Sequence, residues 1–310
     1  MFSTDWSPVE GPCWAWVQGD GGWGLSNAGL IVGDREALLV DTLFDLPSTR
    51  TMLDALPQAT RGVPIARLVN THGNGDHWFG NQLVRDAEIV AAAGALDDMM
   101  LVGPGQVTRL LDLPDPTGGY VRSIFGRFDF RGITPTYPTS TFTGRKELLV
   151  GGWDVELIDV GPAHTLGDTL VHVPAASTVF TGDIVFAGGT PLIWAGPAQR
   201  WLDACRTIID LGAEHIVPGH GPIGTVAAVR AMVDYVEHIH ERAITCHLRG
   251  MDSNEAARSI DLGPFAHWPE SERLAVNVRT IYRGLDGGTS ATGPELFGCM
   301  AELHEHLVSP

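Results

Sequence analysis

The sequence predicts an α/β fold in which two β-sheets pack face to face and helices cover their outer sides. Short apolar segments typical of strands come in two successive blocks, and helical periodicity accompanies each block. Apolar residues make up 44% of the 310 residues and charged residues only 18%. This composition supplies enough apolar material for a large core and differs from that of a disordered chain.

The first block of strands is predicted between residues 14 and 92. Its members are segments 14–17, 28–32, 37–41, 67–70 and 88–92. Glycine turns separate the first three, as expected for neighbouring short strands. A helix is predicted at 47–56, because Pro47 suits a first helical turn and Met52, Leu53 and Leu56 recur at helical spacing.

The second block repeats this arrangement and then becomes helical. Strands are predicted at 147–150, 155–160, 170–173, 178–181 and 215–217, and helices at 197–211, around 270–282 and around 294–306. From Val226 onward, apolar residues such as Val229, Met232 and Val236 mark one helix face. We therefore expect a catalytic core at 1–225 and a C-terminal helical extension, packed on the core, at 226–310.

Residues 96–143 depart from both patterns. Proline, glycine and aromatic residues accumulate there, and we predict a long irregular stretch. Such a stretch inside a compact domain is usually a lid or a substrate-binding insertion, although a simple packing excursion is an equal alternative.

The charge balance and composition argue against several classes of partner. The formal net charge is −17 and Lys and Arg form no block, which disfavours nucleic acid and anionic membrane as partners. Residues 1–10 lack the features of a secretory signal, and no stretch approaches the roughly 20 apolar residues of a membrane span. The four cysteines are widely spaced, so we expect buried, reduced thiols and a cytoplasmic protein. A small-molecule substrate is expected, and a homo-oligomer is left open.

Four predicted strands are each followed by residue types that bind metals. The segment Thr-His-Gly-Asn-Gly-Asp-His at 71–77 follows one strand, and His164, Asp183 and His220 each follow another. Sites in α/β proteins commonly lie in such loops. Imidazole and carboxylate are the usual ligands of zinc and related divalent metals, so the four loops together predict a metal site.

The ordered set of motifs resembles the metallo-β-lactamase superfamily over most of residues 14–222. The resemblance implies a four-layer αβ/βα sandwich, two mixed β-sheets flanked by helices. It also implies one metal site at His72, position 74 and His164, and a second at Asp76, His77 and His220, with Asp183 bridging the two. The family often has an acid where Asp41 ends a strand, and such an acid would orient a metal-binding imidazole. A strand-end turn is the other interpretation of Asp41.

Position 74 departs from the family pattern, because this chain has Asn74 where the family has histidine. A carboxamide oxygen is a weaker zinc ligand than an imidazole nitrogen. The protein therefore either holds two unequal metals or works with one. Zinc is the expected ion, and manganese and iron stay open because oxygen ligands favour harder ions.

The resemblance implies hydrolysis by a metal-activated water, with Asp76 holding one metal and orienting the nucleophile. The sequence has no G-x-S-x-G elbow for a serine nucleophile. The bridging Asp183 differs from the cysteine of the first subclass of β-lactamases. It resembles the broad hydrolase branch of thioesterases, lactonases, phosphodiesterases and arylsulfatase-like enzymes, in which an ester, lactone or thioester substrate is the residual choice. Two alternatives remain: a lyase or decarboxylase that uses the metal as a Lewis acid, and a non-catalytic protein with a degenerate site.

Overall fold

Two mixed β-sheets form the centre of the fold, in a computed structural model that describes residues 5–60, 62–288 and 291–309. The first sheet contains, in spatial order, β1 (Trp6–Pro8), β2 (Cys13–Trp16), β3 (Ala28–Val32), β4 (Ala37–Val40), β5 (Ile65–Val69), β6 (Glu88–Ala92) and β7 (Ser140–Phe142). The strands are antiparallel from β1 to β4 and parallel from β4 to β7.

The second sheet has five strands and is mostly antiparallel. It contains β8 (Arg145–Val150), β9 (Trp153–Asp159), β10 (Thr169–Val173), β11 (Thr178–Phe180) and β12 (His215–Val217), with β12 and β8 at its edges. Only the β11–β12 pair is parallel.

The helices lie outside the sheets and in the C-terminal third of the chain. They are α1 (Leu46–Asp54), α2 (Ala93–Leu101), α3 (Pro104–Leu111), α4 (Pro116–Phe125), α5 (Ala198–Asp210), α6 (Val226–Leu248), α7 (Ser253–Ser259), α8 (Leu274–Asp286) and α9 (Gly293–Val308). Asp45 caps α1 by accepting a hydrogen bond from the backbone N–H of Ser48 at 2.8 Å.

Three apolar layers explain how the elements stack. Ile31 and Val69 of the first sheet pack against Val171 and related residues of the second sheet. Residues on the opposite face of the first sheet, such as Leu68, pack on Met52 of α1. The outer face of the second sheet packs on α5 and α6. Neighbouring strand residues thus point into different apolar layers, which confirms the predicted four-layer arrangement.

The prediction of an irregular stretch at 96–143 is wrong for its first half, which forms most of α2, all of α3 and all of α4. Pro104 and Pro116 are the first residues of α3 and α4, a position where proline needs no hydrogen-bond partner. Position 118 inside α4 requires glycine, because a Cβ there would lie 2.0 Å from the Leu113 carbonyl oxygen. Residues that look like helix breakers therefore begin these helices or allow close packing.

The other differences from the predicted elements are small. The predicted strands are present with ends shifted by at most two residues, while β1, β7 and α7 were not predicted. The helix expected around 270–282 begins at Leu274, after a short 3₁₀ turn at Ser271–Arg273. Residues 1–4, part of the segment searched for a secretory signal, lie outside the described residues.

All four cysteines are buried and free, as predicted. Within the described part of the chain, no helix combines the length and the apolar character needed to cross a membrane.

Candidate metal centre

The predicted site residues meet where five strands end. Asp41 follows β4, the segment 71–77 follows β5, His164 follows β9, Asp183 follows β11 and His220 follows β12. β4 and β5 are parallel neighbours, as are β11 and β12, so the carboxyl ends of each pair lie side by side. The packing of the two sheets then brings the two pairs of loops together.

The carboxylate of Asp183 lies at the centre of four imidazole rings. Its Oδ1 is 3.1 Å from Nε2 of His77. Its Oδ2 is 3.4 Å from Nε2 of both His164 and His220, and 3.8 Å from Nε2 of His72. All five side chains are almost completely buried. Four imidazoles therefore direct the same ring nitrogen towards one carboxylate.

The second carboxylate of the site, Asp76, lies beside His220. Asp76 Oδ2 is 3.3 Å from Nε2 of His220, and Asp76, His77 and His220 have ligand atoms that all lie within 4.8 Å of one another. His72, His77 and Asp183 form a second such group. The two groups share His77, so the cluster is continuous.

Hydrogen bonds at the other ring nitrogen fix the direction of three of these imidazoles. Nδ1 of His220 lies 3.0 Å from the carbonyl oxygen of Gly21, and Nδ1 of His164 lies 2.5 Å from that of Leu192. Nδ1 of His72 lies 3.0 Å from the hydroxyl of Thr71. Each ring thereby donates its Nδ1 hydrogen to a fixed oxygen, which directs Nε2 towards Asp183.

Asp41 orients the fourth imidazole, that of His77, and also Thr71, whose hydroxyl is the partner of His72. Its Oδ2 is 2.8 Å from Nδ1 of His77 and accepts a hydrogen bond from the Thr71 hydroxyl at 2.7 Å. Its Oδ1 accepts a hydrogen bond from the Thr71 backbone N–H, also at 2.7 Å. Asp41 has a φ of +63°, a left-handed conformation that aspartate tolerates better than most residues. Both sequence-based interpretations of Asp41 thus have a basis, since it ends a strand and holds an imidazole.

Gly219 allows the loop after β12 to approach Asp183. A Cβ at this position would lie only 1.9 Å from Asp183 Oδ1. Any other residue would displace either the carboxylate or the His220 loop. The glycine in Pro-Gly-His-Gly-Pro is therefore required by the close approach of two ligand loops.

Burial makes two of the imidazoles neutral. Burial lowers the pKa of His72 well below its usual value and lowers that of His164 to about 4. At neutral pH both rings are uncharged, which is the form in which imidazole binds a metal.

The carboxylates act on the other two imidazoles in the opposite direction. Burial disfavours the cation of His220, but Asp183 and Asp76 outweigh it and raise its pKa to about 9. Burial likewise opposes charge on His77, yet Asp183 and Asp41 help to raise its pKa well above the usual value. Burial also opposes ionisation of Asp183, whose pKa is nevertheless held well below its usual value by the surrounding imidazoles. The carboxylates of Asp183 and Asp76 therefore favour positive charge at the centre.

Three buried atoms at the centre lack a hydrogen-bond partner among the described residues: Nε2 of His72, Nε2 of His77 and Oδ1 of Asp183. His77 Nε2 and Asp183 Oδ1 are close, but they are not aligned as a hydrogen bond. A buried polar atom without a partner costs about 1–3 kcal/mol. A divalent cation among these atoms would bind them all, and the imidazole and carboxylate set is one that zinc prefers. The residues present therefore fit a divalent metal.

Asn74 lies beside the first group of predicted ligands. Its side-chain amide nitrogen is 2.8 Å from Nε2 of His164, and the ring of His164 is 4.7 Å from that of His72. Residue 74 is therefore next to the two histidines with which the resemblance groups it. All seven predicted metal-binding residues and Asp41 come together in one cluster.

Several contacts around this cluster were not predicted from the sequence. The hydroxyl of Ser26 donates to the carbonyl oxygen of Asp76 at 2.5 Å, and the Asn27 side chain donates to the carbonyls of Pro218 and Gly221 on either side of His220. A signal for this pair was present, because two polar residues directly precede the apolar strand β3. The ring of Phe186 stacks on the His220 ring, with 5.1 Å between the ring centroids and an angle of 4° between the ring planes.

Comparison with known proteins identifies a family and two kinds of relative. The model of the metallo-beta-lactamase superfamily matches residues 21–220. The alpha subunit of 2,4-dinitroanisole O-demethylase from Nocardioides sp. is 26% identical over 220 residues, which cover 69% of this chain and 56% of that protein. Hydroxyacylglutathione hydrolase from Cereibacter sphaeroides is 27% identical over 180 residues, which cover 58% of this chain and 56% of that protein. The chain thus spans little more than half the length of these relatives.

Solved structures share the fold at low sequence identity. The stereoselective inverting sec-alkylsulfatase Pisa1 from Pseudomonas sp. is similar with a TM-score of 0.66 and 16% identity, over 94% of this chain and 52% of that one. A metallo-beta-lactamase from Pontibacter korlensis is similar with a TM-score of 0.56 and 16% identity, over 75% of this chain and 98% of that one. At this identity the likeness concerns the fold alone.

The matched residues 21–220 contain all eight residues of the cluster, and they form most of the two-sheet sandwich. The chain therefore belongs to the metallo-β-lactamase superfamily.

Proposed function

We propose that this chain is a metal-dependent hydrolase that cleaves an ester, lactone or thioester bond of a small molecule by means of a metal-activated water. The observation that carries the proposal is the convergence of four buried imidazoles on Asp183, with atoms of His72, His77 and Asp183 left without hydrogen-bond partners in the described structure. A cluster built only for stability would pair these atoms with each other.

The cluster divides into two unequal ligand groups in this proposal. His72, His164 and Asn74 would hold the first metal, with the Asn74 amide turned so that its oxygen takes the place of the nitrogen that lies 2.8 Å from His164 Nε2. Asp76, His77 and His220 would hold the second, and Asp183 would bridge them. The distances from Asp183 support the bridge, since its Oδ1 faces His77 and its Oδ2 faces both His164 and His220. The first site is the weaker one, because Asn74 supplies a neutral oxygen in place of an imidazole.

When bound, a divalent metal supplies Lewis acidity that lowers the pKa of water from about 15.7 to roughly 7 and polarises a carbonyl group. The protein residues keep this chemistry in place. Asp76 would orient the attacking water from the side of the second site. Asp41 would hold the His77 ring in its required tautomer, as carboxylates commonly do for metal-binding histidines. Burial of the cluster would exclude bulk water from the reacting centre.

The relatives support hydrolysis, and one of them supports a thioester substrate. The name hydroxyacylglutathione hydrolase describes cleavage of an acylated thiol, which is a thioester. We therefore rank a thioester first among the three bonds. The preference for zinc rests on the imidazole-rich ligand set, and the oxygen of Asn74 leaves manganese or iron as the alternatives at the first site.

The insertion and the C-terminal segment have proposed roles as well. We propose that residues 1–225 form the catalytic core, that 226–310 form an extension packed on it, and that 96–143 contact the substrate. The packing of α4 supports the role of 96–143. The ring of Phe125 in α4 lies 5.6 Å from the ring of Trp23. Trp23 is two residues from Gly21, whose carbonyl accepts the hydrogen bond from His220.

The proposal predicts that the isolated protein carries divalent metal and that chelation abolishes hydrolysis. Elemental analysis and turnover of a panel of thioester, lactone and aryl ester substrates, before chelation and after zinc is restored, test this. A fully active metal-free preparation would contradict the proposal. Bound metal without turnover of any substrate would favour the degenerate binding protein, and release of a carbon fragment without water consumption would favour the lyase.

Replacing Asn74 by histidine should tighten the first metal by at least about 10-fold, because outer-shell changes alone alter metal affinity by about 10- to 100-fold. Turnover should stay equal or fall, because all other predicted ligands are present. This favours an Asn74 that suits the reaction over one that results from loss of the site. Stepwise calorimetric titration and kcat, measured side by side with an Asn254→His control on α7, provide the test. Unchanged metal affinity would remove residue 74 from the ligand set, and higher turnover would indicate an eroded site.

Replacing Asp41 by asparagine should weaken the second metal by about 10- to 100-fold, because His77 loses its carboxylate partner. Asparagine also tolerates the left-handed backbone of residue 41, so the fold should be retained. Zinc affinity measured by competition with a chromophoric chelator is the readout, with Asp154→Asn on the exposed side of β9 as the control. Wild-type affinity in Asp41→Asn would show that Asp41 serves only the strand end.

A further inference from the structure

A buried ion pair from the C-terminal segment lies beside the metal centre. Arg273 Nη2 is 2.6 Å from Glu270 Oε2, and the two side chains are only 2% and 14% exposed. Both residues lie outside the family match at 21–220, in the turn that leads into α8. A buried ion pair adds little net stability in most cases, so its position calls for a different explanation.

Glu270 binds the backbone of the loop that orients His220. Its Oε1 accepts a hydrogen bond from the Trp23 backbone N–H at 2.7 Å. Two residues earlier, the Gly21 carbonyl accepts the hydrogen bond from Nδ1 of His220. Gly21 is pressed against the chain next to His220, since a Cβ there would lie 2.2 Å from the backbone nitrogen of Gly221. A displacement of this loop would therefore reach His220 directly.

Arg273 contacts the same region by a second route. Its guanidinium lies 4.2 Å from the ring of Trp23 and 5.2 Å from the ring of Phe186. Phe186 stacks on His220, and its neighbour Ala187 donates a backbone hydrogen bond to the His220 carbonyl at 2.9 Å. Arg273 thus contacts a ring that stacks on His220, and Glu270 binds the loop whose Gly21 carbonyl holds His220.

The backbone of Glu270 supports a specific role. Its φ is +62°, in the left-handed region that a glutamate rarely adopts. Such conformations persist where surrounding contacts determine them, and they are frequent at functional sites. Asp41, which orients His77, shares this feature.

We propose that Glu270 and Arg273 are positioning residues for His220. The pair fixes the loop Gly21–Trp23, so that the Gly21 carbonyl keeps the hydrogen on Nδ1 of His220 and directs Nε2 to the second metal. This inference rests on the proposed function, since the second metal site belongs to that proposal. The C-terminal segment is then part of the metal centre.

The test compares zinc affinity in wild type, Glu270→Ala, Glu270→Gln and Arg273→Lys. Glu270→Ala should weaken the second metal by about 10-fold, the lower end of the range for residues around metal ligands. Glu270→Gln should recover part of the loss, because its amide oxygen still accepts the Trp23 N–H. Arg273→Lys should lower the zinc affinity severalfold, because one ammonium group replaces the two guanidinium nitrogens that contact Glu270 and the Thr190 carbonyl. Glu302→Gln breaks the Arg258–Glu302 ion pair at the surface of the same segment and is the control.

Chelator competition and the absorption spectrum of the cobalt-loaded protein are the readouts, with folding checked by circular dichroism. Wild-type affinity and spectrum in Glu270→Ala would overturn the inference, as would an equal loss in Glu302→Gln. If Glu270→Ala fails to fold, Arg273→Lys decides, and wild-type affinity there overturns the inference. Failure of the wild type to bind metal is a separate outcome, which would overturn the proposed function itself.

Discussion

The burial of the Asp183 carboxylate among four imidazoles is the interaction on which the rest of the structure depends. An ionised carboxylate without compensation is very costly inside a protein, so the surrounding positive charge must be supplied and held in place. The two sheets bring the imidazoles around Asp183 because five strands end at the same end of the sandwich. Glycine at position 219 then lets the loop of His220 come within contact of Asp183.

A second layer of contacts determines how the imidazoles face this carboxylate. Every ring has its Nδ1 against a defined partner: Asp41, Thr71, or the backbone carbonyls of Gly21 and Leu192. These partners come from the loops after β4 and β5, from the loop before β3 and from the segment after β11. The candidate metal centre therefore depends on the whole sandwich, and the role proposed for Glu270 and Arg273 would extend it into the C-terminal segment.

The sequence was sufficient to predict most strands and which side chains cluster at their ends, for a physical reason. Short apolar strands followed by histidine or aspartate leave a local pattern, and parallel neighbours necessarily bring their loops together. The helices of 96–143 were missed because proline at a first helical position and Gly118 at a close contact look like breakers. The contact between Glu270 and Trp23 joins residues 247 positions apart, so no local pattern could reveal it.

Solved structures of low sequence identity share the fold with different shares of this chain. The metallo-beta-lactamase from Pontibacter korlensis shares its fold with 75% of the chain. The sec-alkylsulfatase Pisa1 shares its fold with 94%, so that likeness extends into the C-terminal helices. A helical segment after the sandwich is thus found in another member of this fold group, and here it supplies the turn that carries Glu270 and Arg273.

Anomalous X-ray diffraction at the zinc absorption edge, on crystals of the zinc-loaded protein, tests the central claim most directly. The account predicts a strong peak between Asp183 and the group of Asp76, His77 and His220. It also predicts a weaker peak beside His72, Asn74 and His164, because the amide oxygen of Asn74 binds zinc less tightly than an imidazole. An ordered zinc ion elsewhere in the protein, with none at Asp183, would contradict the account.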